Sequence, residues 1–364
     1  MSKRQILVFE DKGENFEKIE GPLTDDPRLD QYDIEWFPVD RTAPESWDGE
    51  EDPEPTDILY PYLENPHPDL VVLDWELGGY KSGVRRQHVQ SACEELGIPL
   101  CVYHRDEGHF SDPESLKEYE ENLIRIDVKE TSEQVADAIA TIATSFVEIK
   151  EALRTENVDG VQSALHQVID VPPSAEAQLD QYSLGQSAAL RVAKSDMTDE
   201  ERTRITSTFI GYWIHNQILE YPGVLLNEVA TASYLGVDHE EFQTRQACYE
   251  ALEKAAYDGP FSDLSRDNWW WTNLLDEIRL ELPPGEDGDL LSGPALFEEL
   301  CGESVSPVTC VESGEPKAGY YCILTEKPVC EEHSEKPGGW IPVGASRSRI
   351  SSSELEKVNA WMPS

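Results

Sequence analysis

Pro68-Asp69-Leu70-Val71-Val72-Leu73-Asp74-Trp75-Glu76-Leu77-Gly78-Gly79 sets four consecutive apolar residues between two aspartates and ends on a glycine pair. A short unbroken apolar run of this kind reads as a strand covered on both faces, and such strands belong to parallel sheets. Similar runs recur on either side. Residues 5–10 are apolar up to Glu10, and residues 33–39 read as a second strand. Gly97 announces a fourth strand from Ile98 to Tyr103, and Leu123 to Val128 forms a fifth. Between them lie helical spacing over 84–96, a short polar helix over 112–121, and an exposed loop at 41–57 rich in Pro, Glu and Asp. Strands alternating with helical patterns predict an α/β fold: a doubly wound, five-stranded parallel sheet.

In an open parallel sheet, functional groups collect at the carboxyl ends of the strands. Glu10 and Asp11 end the first strand and Asp74 ends the third. These two strands are neighbours in the flavodoxin-like order, so three carboxylates converge at one switch point. Carboxylates held together repel unless a cation neutralises them. Oxygen ligands with room for several waters suit Mg²⁺. A carboxylate beside such an ion can attack a phosphoryl group, because the metal screens both partners. Lys129 closes the fifth strand and offers a point charge at the same edge.

These segments resemble the receiver domains of two-component response regulators. Ile6-Leu7-Val8-Phe9-Glu10-Asp11-Lys12 is similar to their opening strand with its acid pair, and the run ending in Asp74 is similar to their phosphoacceptor segment. Gly97-Ile98-Pro99-Leu100 and Ile126-Asp127-Val128-Lys129 are similar to the fourth and fifth strands. The resemblance covers about residues 3–150. It implies phosphorylation of Asp74 by a histidine kinase or phosphotransfer protein. It also implies Mg²⁺ held by Glu10, Asp11, Asp74 and the carbonyl of Glu76, with Lys129 on the phosphoryl group. The chain departs from the pattern at several places. His104 stands where the family usually has Ser or Thr, and Glu130 follows the lysine in place of proline. Leu77-Gly78 replaces an apolar-Pro pair, and an acidic insertion lengthens the stretch around 41–60. A histidine donates only in one tautomer or when charged, and it is bulkier than threonine. Two readings follow: a signalling protein in which phosphoryl acceptance at Asp74 controls an output domain, or a degenerate receiver that docks a partner without taking phosphate.

The chain carries 73 acidic against 29 basic residues, a formal charge of −44, with the acids spread along its length. Such a surface resembles those of halophile proteins, in which high salt screens the mutual repulsion. The charge argues against non-specific binding of nucleic acid. Met1-Ser2-Lys3-Arg4 leads straight into the first strand, and no apolar stretch approaches the ~20 residues of a membrane span, so a cytoplasmic protein is expected. Seven cysteines, an odd number, suggest reduced thiols.

A long helix is expected from Thr131 or Ser132, with Val135, Ile139, Ile142, Phe146, Ile149 and Leu153 on one heptad seam. The seam reads as one helix packed on its own sheet, with a dimer stalk as the alternative. The expected organisation is a receiver-like domain at 1–150, a helical linker at 151–175, a mainly helical output or interaction domain at 176–300, and a small irregular β-containing module at 301–364. Trp269-Trp270-Trp271 is expected to open a helix with at least one ring outside the core. His215 and Asn216 read as satisfied core residues. Arg347 and Arg349, in the Ser-rich stretch 346–353, form the one locally basic patch. Cys310, Cys322, Cys330 and His333 fall within 24 residues, and three thiolates with an imidazole suit a tetrahedral Zn²⁺ site. Buried thiols are the plainer reading, because eleven residues separate Cys310 from Cys322. No nucleotide-binding, zinc-protease or nucleophile-elbow motif occurs, so no enzymatic activity is expected.

Overall fold

The computed structural model describes residues 3–37, 54–64, 66–77, 83–104, 122–127, 131–155, 161–182, 197–264, 268–285, 288–302, 304–338 and 341–359. The chain divides into two compact units that interleave in sequence: residues 1–168 with 185–212, and residues 169–184 with 213–364. No described helix is long and apolar enough to cross a membrane.

The first unit is built on β1 (Arg4–Phe9), β2 (Tyr32–Trp36), β3 (Leu70–Asp74), β4 (Leu100–His104) and β5 (Ile124–Asp127). All pairings are parallel and the order is β2-β1-β3-β4-β5, a flavodoxin-like arrangement. Every residue of β3 and β4 is buried, as the unbroken apolar runs require of strands covered on both faces. Phe9 pairs with Leu73 and Asp74 with Tyr103, so the carboxyl ends of β1, β3 and β4 are level.

The sheet is covered by α1 (Gly13–Asp25), α2 (Pro55–Leu63), α3 (Arg86–Leu96) and α4 (Ser132–Thr155), and α5 (Val161–Val168) packs beside α4. α1 buries Phe16, Ile19 and Leu23, one face of a helix. α4 packs on α1, β3 and β4 and buries Val135, Ile139, Ile142, Phe146 and Ile149. The seam is therefore covered within its own unit as far as Ile149, and Leu153 is half-buried. α3 stops at Gly97, whose φ of 65° is the left-handed conformation that favours glycine. A Cβ there would come within 2.5 Å of Ile205.

Ile205 lies on the helix Asp199–Trp213, which belongs to this unit through Tyr212. Three of its side chains bind the turn and strand that follow α3. Arg204 Nε donates to the Leu96 carbonyl at 2.8 Å, Thr208 Oγ1 to the Gly97 carbonyl at 2.9 Å, and Tyr212 Oη accepts the Leu100 N–H at 2.7 Å. Burial pushes the Tyr212 phenol well above its usual pKa, so the hydroxyl stays neutral.

The second unit is mainly helical, with two small sheets. One has the order β6-β8-β7, with β6 at Leu225–Leu226, β7 at Ala256–Tyr257 and β8 at Trp269–Trp271. The tryptophans thus form the central strand of a sheet, not the start of a helix, and all three are buried. A strand sends successive side chains to opposite faces, so both faces of β8 take up rings. Trp270 packs on Phe242 and Tyr249, and Trp271 meets Tyr257 edge to face. The helix Thr272–Glu281 begins only after them. His215 Nδ1 and Asn216 Oδ1 are 2.6 Å apart on a π-helical turn, Ile214–Leu219. Burial keeps that imidazole below its usual pKa.

The other sheet, β10-β9-β12-β11, comprises β9 (Tyr320–Cys322), β10 (Lys327–Val329), β11 (Ser334–Glu335) and β12 (Ser348–Ser351). Arg347 lies 4.3 Å above the Tyr234 ring, and Arg349 lies 4.3 Å above Tyr320. Aromatic faces therefore engage both arginines of the basic patch. All described cysteines are free thiols.

Replacing Tyr212 by Phe strands the Leu100 N–H in the core, which costs about 1–3 kcal/mol. Urea unfolding in molar KCl should show that loss, and a change under ~0.5 kcal/mol would contradict the packing described for this helix.

Candidate functional site

Glu10, Asp11 and Asp74 place carboxylate oxygens within 4.8 Å of one another at the carboxyl edge of the sheet. β1 and β3 deliver them. The Phe9–Leu73 pairing puts Glu10 one step beyond the strand and level with Asp74. This is the switch point of the topology: the chain leaves β1 toward β2 on one side, while β3 leads to β4 and β5 on the other.

Glu10 is fully buried. An ionised carboxylate survives there only if its lone pairs are met. Oε1 accepts the Lys12 N–H at 2.9 Å and Asn15 Nδ2 at 3.3 Å, while Oε2 accepts the Tyr103 hydroxyl at 2.7 Å. Its own carbonyl accepts Trp36 Nε1 at 2.7 Å. Strand and side chain are thus both anchored. Asp74 is 5% exposed. Its Oδ1 accepts the Glu76 N–H at 3.1 Å, and its carbonyl accepts the Leu77 N–H at 3.2 Å. The chain turns immediately after the strand and holds the carboxylate at the sheet edge. The Trp75 N–H reaches the Tyr103 carbonyl at 3.0 Å, and the Arg86 guanidinium stacks 3.6 Å above the Trp75 ring.

Like charges this close repel strongly. At an effective dielectric of about 20, two carboxylates less than 4.8 Å apart cost roughly 3–4 kcal/mol or more. That exceeds what a surface ion pair returns, so the trio calls for a cation or a proton among its members. The donors are all oxygen, a set that fits a hard divalent ion of the Mg²⁺ or Ca²⁺ type better than a soft metal.

The other expected site residues fall as follows. Glu76 contributes its backbone to the turn, and its side chain is 65% exposed. His104 ends β4, is buried, and places Nε2 3.6 Å from Glu76 Oε1. Lys129 lies outside the described residues, as do the short helix expected at 112–121 and most of the acidic insertion. Farther along the chain, Cys310, Cys330 and His333 form a second group of possible metal ligands. Cys322 is not in that group: its Sγ accepts the Ser351 N–H at 3.3 Å.

Sequence reading missed the residues that hold Glu10, namely Tyr103, Asn15 and Trp36. Tyr103 carried a weak signal, since it is the one hydroxyl in an otherwise apolar run and it pairs with Asp74. Neither protein-family models nor curated proteins give a match to this chain.

Removing the Tyr103 hydroxyl takes a donor from a buried charge. Tyr103→Phe should lower stability by about 1.5–3 kcal/mol. Chemical unfolding checks this, and an unchanged midpoint would mean that the Tyr103 hydroxyl does not support Glu10.

Proposed function

We propose that the amino-terminal unit is a receiver-like domain whose Asp74 accepts a phosphoryl group. The observation that carries this reading is the convergence of Glu10, Asp11 and Asp74 at the switch point of a β2-β1-β3-β4-β5 sheet. In the proposed step, an Asp74 carboxylate oxygen forms a bond to phosphorus. The P–N bond to the donor histidine breaks, and that histidine keeps the electron pair and takes up a proton. Glu10, Asp11, Asp74 and the Glu76 carbonyl are the groups that would hold Mg²⁺, which supplies positive charge against the phosphoryl oxygens.

The chain's own residues do the positioning. The Glu76 N–H fixes the rotation of the Asp74 carboxylate. The Tyr103 hydroxyl, Asn15 and the Lys12 N–H hold the Glu10 carboxylate at the edge. The natural donor is a histidine kinase or phosphotransfer protein, and the second unit is the output or interaction module. The acidic composition supports a salt-rich setting as part of this reading.

A second reading is favoured by His104. An imidazole buried at the end of β4, 3.6 Å from Glu76, stands where a phosphoryl-sensing hydroxyl is expected. In that reading the fold docks a partner without taking phosphate.

The two separate on phosphate chemistry. Full-length protein incubated with Mg²⁺ and acetyl phosphate in molar KCl should gain the mass of one phosphoryl group. Hydroxylamine should clear the adduct, and Asp74→Asn should form none. An unmodified wild type that also fails to bind beryllofluoride would put the docking reading in front.

A further inference from the structure

We infer that Cys310, Cys330 and His333 form a zinc site of their own, on the small carboxy-terminal sheet, in which two thiolates and an imidazole leave one position to an oxygen ligand. The ligand atoms of the three residues lie within 4.8 Å of one another. Tetrahedral zinc, with Zn–S of about 2.3 Å and Zn–N of about 2.0–2.1 Å, separates its ligand atoms by roughly 3.4–3.8 Å. The present contact between Cys330 Sγ and His333 Nδ1 is 3.0 Å. Opening it by about half an ångström would seat the ion.

The backbone around Cys310 has the form of a thiolate cradle. The Gly314 N–H returns to the Cys310 carbonyl at 2.8 Å and the Cys310 N–H reaches the Glu315 carbonyl at 2.9 Å, closing a tight turn. Gly314 completes it with a φ of 68°. From the neighbouring strand end the Cys330 N–H donates to the Cys310 sulfur at 3.4 Å. A neutral thiol is a weak acceptor and gains little from several donors, whereas a thiolate or metal-bound sulfur is stabilised by each. Each thiol gives its proton to solvent as metal enters.

The other side of the pair is equally local. Cys330 follows β10, and the 3₁₀ turn Glu331–His333 brings the imidazole back onto its sulfur. Two carboxylates stand near. Glu332 pairs with Lys317, and Glu312 accepts from the Ser353 hydroxyl. A water suits the fourth position. Two sulfurs and one nitrogen select zinc over the hard cations that suit the carboxylate trio.

The core of this module explains what the ion would do. Its apolar cluster consists of Cys310, Cys322, Val329 and Cys330, with Tyr320 and Leu324 packed against it. So few side chains supply little burial, and modules of this size gain much of their order from a staple. Zinc would tie the turn at 310–314 to the end of the β9–β10 hairpin.

The test is a Co²⁺ titration of chelator-stripped, full-length protein in molar KCl, followed by displacement with Zn²⁺. One equivalent of Co²⁺ should produce a thiolate-to-metal charge-transfer band that Zn²⁺ abolishes. Cys330→Ser should remove most of the band. His333→Gln, at a position that is not buried and can change without disturbing the core, should weaken binding at least tenfold with an unchanged near-UV circular dichroism spectrum. Cys322→Ala should keep the band. Absence of the band in wild type overturns the site. A band of unchanged affinity in both ligand variants, or one lost only in Cys322→Ala, overturns the ligand set.

Discussion

Mutual repulsion among three carboxylates is the constraint around which the amino-terminal unit is arranged. β1 and β3 run parallel and in register, so the residues that follow their last apolar positions must meet. Those residues are Glu10, Asp11 and Asp74. A fold with uncommitted choices would separate them, since each close pair costs several kcal/mol. This one spends hydrogen bonds to keep them together. Glu10 is buried outright and takes donors from Lys12, Asn15 and Tyr103. Asp74 is held by the turn that starts on it. Arrangements of this cost are kept where a cation or a reacting group completes them.

The same logic separates this trio from the rest of an acidic chain. With a net charge of −44, an exposed Asp or Glu carries little information. Burial is what distinguishes Glu10 and Asp74 from that background. Salt screens the exposed charges, but buried ones are screened far less, so the trio keeps its repulsion where the rest of the surface is quiet. The soft-donor cluster on the carboxy-terminal sheet is of a different kind, with sulfurs in place of oxygens and a backbone cradle in place of a charge cluster.

Much of this was legible in the sequence. β1, β3 and β4 appear as near-continuous apolar runs, because strands covered on both faces have few polar residues to place, while β5 alternates Ile124 and Ile126 with Arg125 and Asp127. The acids at their ends and the long helix α4 follow from the same pattern. What was not legible depended on contacts distant in sequence. α1 is obscured by Gly21 and Pro22, although Phe16, Ile19 and Leu23 keep a helical spacing. α2 begins at Pro55 inside an acidic, proline-rich stretch, where Asp57 closes a capping box on Glu54. Three consecutive tryptophans fit no helix face, and only pairing with β6 and β7 makes a strand of them. That the helix Asp199–Trp213 packs on the first unit is written in Tyr212 and its bond to Leu100, 112 residues away, and nowhere in its local pattern. Cys322 fell within the same 24-residue stretch as Cys310, Cys330 and His333, but its place in the strand β9 gives its sulfur to Ser351.

The central claim is that Glu10, Asp11 and Asp74 act together on one divalent cation. Isothermal titration of Mg²⁺ into the full-length, metal-stripped protein in molar KCl tests it most directly, with Asp74→Asn and Asp11→Asn as comparisons. The account predicts saturable binding of one ion per chain in the wild type and its loss in both variants. Equal binding in all three proteins would contradict it and leave the trio without a shared cation.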